Sequence, residues 1–256
     1  MNHPTNPFLA ALRAGTPQIG LWISLASNVS AEVVADAGFD WVLVDTEHSP
    51  NELQTVLGQL QALAASPATA IVRPQWNDAV LVKRYLDIGA EGLLFPMVQT
   101  VEEATAAVAA TRYPPRGVRG VSGTTRANRF GRTTDYFQRV EDETAVLLQV
   151  ETREAIERVA DIADCDGVDG VFFGPADIAA SIGLLGQPMH DAVWALIRPA
   201  AQQLMDKGIP VGTLVLDPAF ARQLIAEGFR FVACGSDLAI LARGADALCR
   251  AMHTDG

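Results

Sequence analysis

Leu147-Leu148-Gln149-Val150-Glu151 is followed, across a helical segment from Thr152 to Ile162, by Gly170-Val171-Phe172-Phe173-Gly174-Pro175-Ala176-Asp177. Each half is an apolar run that ends in an acid. Asp166-Gly167-Val168-Asp169-Gly170 closes the helical segment before the second run begins. The pattern reads as strand, helix, strand. Two parallel strands joined by a crossover helix end at the same edge of their sheet. Glu151 and Asp177, 26 residues apart, are therefore expected to converge. Two carboxylates at one edge suit a hard divalent cation, which takes oxygen ligands. Either acid alone reads better as a negative charge at a helix N-terminus. The pair, in an alternating chain, points to a site.

Outward from this unit the same phrase repeats: helix, glycine, short apolar strand. It occurs as Ala35-Asp36-Ala37-Gly38 before Trp41-Val42-Leu43-Val44, and as Leu86-Asp87-Ile88-Gly89 before Gly92-Leu93-Leu94-Phe95. Continuous apolar runs of this length read as strands buried on both faces, hence parallel. The expected strands are Gln18–Ser24, Trp41–Asp45, Thr69–Arg73, Gly92–Pro96, Ala145–Val150, Gly170–Phe173, Pro210–Leu214 and Arg230–Ala233. Helical patterns fill the intervals: Ser30–Ala37, Glu52–Ala64, Asp78–Ile88, Val101–Thr111, Thr152–Ile162, Asp191–Lys207 and Pro218–Ala226. Leu238–Met252 supplies the last helix. Eight strands alternating with helices over about 250 residues predict an α/β fold, a single (β/α)₈ barrel spanning 1–256. A doubly wound sheet fits less well, because no G-x-G-x-x-G follows the first strand. One interval is irregular. Tyr113 to Thr134 carries Arg116, Arg119, Arg126, Arg129 and Arg132 ahead of a short helix, Asp135–Val140. A long loop in a compact domain is usually functional or disordered; a contact with a neighbouring subunit or the active-site mouth is expected here.

Hydrophobic residues make up 49% of the chain and charged residues 19%, a globular composition with ample core. The net charge of -11 argues against nucleic acid as a partner. No apolar run reaches the ~20 residues of a membrane span. Met1 to Pro7 lacks the basic region and apolar core of a signal peptide. Cys165, Cys234 and Cys249 form neither a zinc pattern nor a disulfide framework. A cytoplasmic location follows as the expectation.

The carboxyl ends of all barrel strands face one mouth. The sequence brings to it Trp22 and Ser24, then Asp45-Thr46-Glu47-His48, Arg73, Gln149 and Glu151, Gly174 and Asp177, and Leu214. Gln149 and Glu151 are two apart and share a strand face. Arg73 at a buried strand end stays charged, so it pairs with an acid, Asp45 or Glu47, or awaits an anion. His48 in a turn gains interest from this company. The lysines, Lys83 and Lys207, fall in helices, away from the strand ends where a Schiff base would form.

Val44-Asp45-Thr46-Glu47-His48-Ser49-Pro50, Val72-Arg73-Pro74, Pro96-Met97-Val98-Gln99, Arg119-Gly120-Val121, Gln149-Val150-Glu151-Thr152 and Phe173-Gly174-Pro175-Ala176-Asp177 together resemble the HpcH/HpaI family of class II pyruvate aldolases. The likeness runs over essentially the whole chain, in order. It implies a (β/α)₈ barrel and reversible addition of pyruvate, or a related 2-oxo acid such as hydroxypyruvate, to an aldehyde. It also implies a divalent metal such as Mg²⁺ or Mn²⁺, and a hexamer, a trimer of dimers that exchange the C-terminal helix. By the resemblance Glu151 and Asp177 hold the metal, and Arg73 binds the keto oxygen. His48, with Asp45 close by, handles protons, either as the enolising base or beside a metal-bound hydroxide. Gln149, Gly174, Pro175 and Ala176 are implied pyruvate contacts, and Trp22 and Leu214 aldehyde-side walls. Asp87 is similar to an acid that reaches a neighbouring subunit's site. A citrate-lyase or malyl-CoA-lyase type reaction, oxaloacetate decarboxylation, and a barrel that binds 2-oxo acids without turnover are the alternatives.

Overall fold

The computed structural model describes residues 2–253; the expected span of 1–256 also takes in Met1 and residues 254–256, which lie outside the described residues. Eight parallel strands close a barrel in chain order, the last hydrogen-bonded to the first. They are β1 Gln18–Ile23, β2 Trp41–Asp45, β3 Thr69–Arg73, β4 Gly92–Phe95, β5 Ala145–Val150, β6 Gly170–Phe173, β7 Val211–Val215 and β8 Phe231–Ser236. The expected barrel is present. β8 continues to Ser236, past the expected end at Ala233, because Trp22 of β1 pairs with Ser236 after a shift in register. Pairing, not apolarity, extends it.

Alternation along the strands divides the core in two. One set of side chains meets the surrounding helices, among them Val42, Val44, Val72, Leu148 and Phe173. The other fills the barrel: Trp22, Trp41, Leu43, Ile71, Leu94, Leu147, Phe172 and Phe231. Large inward rings need small neighbours. A Cβ on Gly20 would overlap the Trp41 ring, one on Gly212 would overlap Phe231, and one on Gly92 would lie 2.6 Å from Ala145 Cβ and 2.7 Å from Ile71 Cδ1. These strand glycines make space for bulky partners.

Two helices were not expected from the sequence. Pro7–Arg13 opens the chain, with Pro7 in its first turn and Asn6 as cap accepting from Leu9 N–H. Phe8, Leu9 and Leu12 face the barrel interior and close its amino end. Pro175–Ser181 starts directly after β6, with Gly174 at its N-cap. Each is short, so hydrophobic periodicity has little length in which to show. The expected helix Thr152–Ile162 is instead two, Arg153–Glu157 and Val159–Ala163, broken at Arg158 where φ is -114° and ψ 9°. The loop after Thr111 is irregular as expected, but Arg119 is not solvated: its side chain is fully buried.

The C-terminal helix, Asp237–Met252, has one buried residue, Asp237. Leu238, Ile240, Leu241, Leu248 and Met252 are exposed. Among the described residues no helix is long and apolar enough to cross a membrane.

Replacing Gly20 by Ala tests the packing of the barrel interior. Overpacking a filled core costs about 1–3 kcal/mol. The urea midpoint of Gly20→Ala should fall with an unchanged slope. A wild-type midpoint would mean that Trp41 has room to move.

Candidate active site

β2 and β3 run in register to their ends, with Asp45 opposite Arg73. Inward alternation that places Trp41 and Leu43 in the barrel also turns Asp45 to the mouth. There Arg73 Nε and Nη2 donate to Asp45 Oδ1 and Oδ2, each at 2.9 Å. This is a bidentate pair of planar groups. Arg73 Nη1 stands 2.9 Å from Glu47 Oε2, an ion pair without hydrogen-bond alignment. The guanidinium also lies 5.5 Å from the Trp22 ring centre. Arg73 is buried, and burial opposes its charge; its hydrogen bonds to Asp45 and the charges of Asp45, Glu47 and Glu151 more than offset that and raise its pKa.

Glu151 follows the last residue of β5 and is 2% exposed. Its Oε1 accepts from Met97 N–H at 2.7 Å and its Oε2 from Gln149 Nε2 at 2.5 Å. The Glu151 carboxyl is pushed up to about 7: burial raises it most, those two hydrogen bonds oppose the rise, and the charges of Asp177 and Glu47 add to it. Glu47 is raised for like reasons: burial first, then the charges of Asp45 and Asp177, against the opposing charge of Arg73. Gln149 Oε1 is buried without a hydrogen-bond partner. Gly174 lies against Glu151: a Cβ there would sit 2.6 Å from Glu151 Oε2. Asp177 lies in the first turn of Pro175–Ser181, not at the strand end, and is solvent-exposed.

The structure therefore brings Asp45, Arg73, Gln149, Glu151, Gly174 and Asp177 to one mouth. Trp22 is buried beside Arg73 and packs on Phe172 with ring centres 5.4 Å apart. Leu214 is half-buried against the barrel interior. Pro175 is buried and Ala176 exposed at the start of their helix. His48 is at the rim, its side chain 67% exposed, with Nε2 3.8 Å from Glu47 Oε1. The carboxylate beside His48 is thus Glu47; Asp45, expected there, spends both oxygens on Arg73. Asp87 is not at this mouth. It ends the helix Ala79–Asp87 and accepts from Arg119 Nη2 at 2.8 Å.

Glu47, expected at the mouth as a possible partner of Arg73, is there. The Met97 amide was missed as a site group. The Met97 amide is aimed by a left-handed backbone, φ 51°, that its residue type does not announce.

A barrel with this mouth matches the model of the HpcH/HpaI aldolase/citrate lyase family over residues 18–244, and the chain belongs to that family. It is a carbon–carbon lyase of the aldolase type. A pyruvate aldolase of Rhizobium etli is 55% identical over 254 residues, covering 99% of this chain and 100% of that one. A 4-hydroxy-2-oxo-heptane-1,7-dioate aldolase of Salmonella arizonae is 54% identical over 244 residues, covering 95% of this chain and 93% of that one. Among solved structures, a HpcH/HpaI aldolase/citrate lyase family protein from Burkholderia cenocepacia J2315 superposes with a TM-score of 0.91 at 39% identity, covering 98% of this chain and 100% of that one.

The raised Glu151 carboxyl has a pH consequence. Its folded form favours the proton more than the unfolded form does. The stabilisation is therefore fully present below the unfolded value, about 4.3, and is lost as pH rises through about 7. Without added cation, urea denaturation should give lower stability at pH 8.5 than at pH 5.5. Glu151→Gln should remove roughly 1–3 kcal/mol of that difference. An identical pH dependence in the variant would place Glu151 in a wetter setting.

Proposed function

We propose that the chain is a metal-dependent pyruvate aldolase. It adds pyruvate, or a related 2-oxo acid such as hydroxypyruvate, reversibly to an aldehyde to give a 4-hydroxy-2-oxo acid. The observation that carries this reading is a buried Arg73, held side-on by Asp45, beside the raised carboxyl of Glu151 at a barrel mouth. The names of the R. etli and S. arizonae relatives agree with it. Lys83 lies within a helix and Lys207 caps one, so neither supports a Schiff-base route.

A divalent cation, Mg²⁺ or Mn²⁺, fits the donor set. Glu151 and Asp177 repel each other when both are charged, and Gln149 Oε1 is a buried acceptor without a donor. Among the described residues no three His, Cys, Asp or Glu side chains gather as a complete cage. Glu151 and Asp177 would hold the cation, and when bound it supplies positive charge that stabilises an enolate oxygen.

The remaining chemistry belongs to side chains. Arg73 has both N–H groups of Nη1 and one of Nη2 beyond those hydrogen-bonded to Asp45; these bind the keto oxygen and stabilise its developing charge in a water-poor setting. By helix geometry the N–H groups of Ala176 and Asp177 have no intrahelical acceptor, and they receive the pyruvate carboxylate beside Gly174 and Pro175. Gln149 fixes one oxygen of Glu151. Trp22 and Leu214 keep water from the aldehyde side. His48, at the rim with Glu47 as its neighbour, takes the proton from the pyruvate methyl and returns one to the new alkoxide.

The exposed apolar side chains of Asp237–Met252 support assembly through this helix, with a hexamer built as a trimer of dimers. In that assembly Asp87 serves a neighbour's mouth. The unpaired cysteines suit a reducing, cytoplasmic location.

Metal removal tests the reading. Exhaustive chelation should abolish aldol cleavage, and Mg²⁺ or Mn²⁺ should restore it. Full activity without metal, or a borohydride-trapped pyruvate adduct, would overturn it. Arg73→Lys keeps the charge but not the planar fork. Turnover should fall by about two orders of magnitude or more, as when an oxyanion donor is removed, with metal affinity little changed. Near wild-type turnover would make Arg73 a purely structural ion-pair partner.

A further inference from the structure

Asp237 begins the C-terminal helix at the end of β8. Its buried carboxylate accepts four hydrogen bonds. Ser24 N–H and Leu238 N–H donate to Oδ1 at 2.8 and 2.7 Å. Leu25 N–H and Ser30 Oγ donate to Oδ2 at 3.3 and 2.7 Å. Three of these donors lie on the connection after β1 or on the first turn of the helix it enters, Asn28–Ala35. That connection begins just beyond Trp22, the ring beside Arg73.

The β1–β8 ladder does not by itself fix this connection. Its register shifts between Gly20 and Trp22. Ala26 adopts φ 53°, a left-handed conformation that a non-glycine residue holds only when its surroundings impose it. Hydrogen bonds to an ionised acceptor are about twice as strong as neutral ones, and a buried carboxylate is a strong anchor for two backbone amides. No other residue of Asp237–Met252 is buried, so the first turn is where the body of the protein holds this helix. One side chain thus holds both the helix and the backbone that follows Trp22.

We propose that Asp237 is a positioning residue that couples the seating of the C-terminal helix to the aldehyde-side wall of the mouth. The inference rests on the aldolase reading above and deepens it. A shift of the helix's first turn moves the acceptor shared by Ser24, Leu25 and Ser30. The connection after β1 moves with it, and Trp22 follows. Pyruvate contacts come from β3, β5 and β6; Arg73 touches the Trp22 ring but is held in place by Asp45 and Glu47 at the end of β2. The acceptor half of the reaction therefore responds to the helix, while enolisation does not.

The test uses the full-length, metal-loaded enzyme with Asp237→Asn and Ser30→Ala. Two readouts are needed: methyl proton exchange of pyruvate in deuterated water, and steady-state addition with glyceraldehyde as acceptor. In Asp237→Asn the aldehyde KM should rise about tenfold, equivalent to roughly 1.4 kcal/mol, while the exchange rate stays within about twofold of wild type. Ser30→Ala removes one of the four bonds and should shift KM the same way by about threefold; it carries the test if Asp237→Asn does not fold. An unchanged aldehyde KM in a folded variant, or exchange and KM worsening in step, overturns the proposal. Absence of exchange in the wild-type enzyme would instead overturn the aldolase reading and leave the hydrogen-bond anchor intact.

Discussion

The mouth of this barrel depends on one buried ion pair. Arg73 and Asp45 end neighbouring strands, and in-register pairing sets them opposite each other. A buried guanidinium without a partner is heavily penalised, so Asp45 is required once Arg73 is placed. Asp45 takes two of the three nitrogens, and Glu47 faces the third. The fork is then fixed in plane, with Trp22 against it. What remains of its donor capacity points where no carboxylate of the chain has claimed it. An arginine tied down in this way is a rigid electrostatic device rather than a flexible charge.

Beneath that pair the barrel is held by size matching. Phe8 of the amino-terminal helix contacts Trp41 and Phe231, with ring centres 5.7 and 5.9 Å apart. Trp41 in turn meets Trp22, 6.1 Å away. The aromatic stack runs from the closed end of the barrel to the guanidinium at its open end. Glycines on the inner face give it room. The position of the reactive groups is therefore backed by packed rings through the depth of the fold.

The barrel was legible because eight apolar runs and their helices repeat with little variation from Gln18 onward. The convergence at the mouth was legible because strand alternation and parallel pairing are strong geometric rules; Asp45, Arg73, Gln149 and Glu151 fall where those rules put them. Short elements were harder to read. Pro7–Arg13 and Pro175–Ser181 each span seven residues, too few for a period to be distinctive. Non-local partners were mostly not legible. The choice of Asp45 over Glu47 as the hydrogen-bonded partner of Arg73, the burial of Arg119 against Asp87, and the three donors that reach Asp237 from residues 24–30 all depend on contacts between distant segments. Two of those segments, 24–30 and 237, lie at opposite ends of the chain.

The packed barrel interior has a kinetic meaning. Trp22, Trp41, Phe172 and Phe231 fill it beneath the mouth, so the mouth is a pocket with one opening. In the proposed cleavage reaction the 2-oxo acid fragment lies deep, against Arg73 and Gln149, and the aldehyde lies nearer the rim. The fragments have a single exit, so they leave in order of depth: aldehyde first, pyruvate second. In the synthetic direction pyruvate enters first. The free enzyme is then the form that both pyruvate and the hydroxy acid seek, and the two compete for it, whereas the aldehyde meets only an enzyme that already holds pyruvate. In the proposed reaction the packing of the barrel core thereby sets the order of events at its mouth.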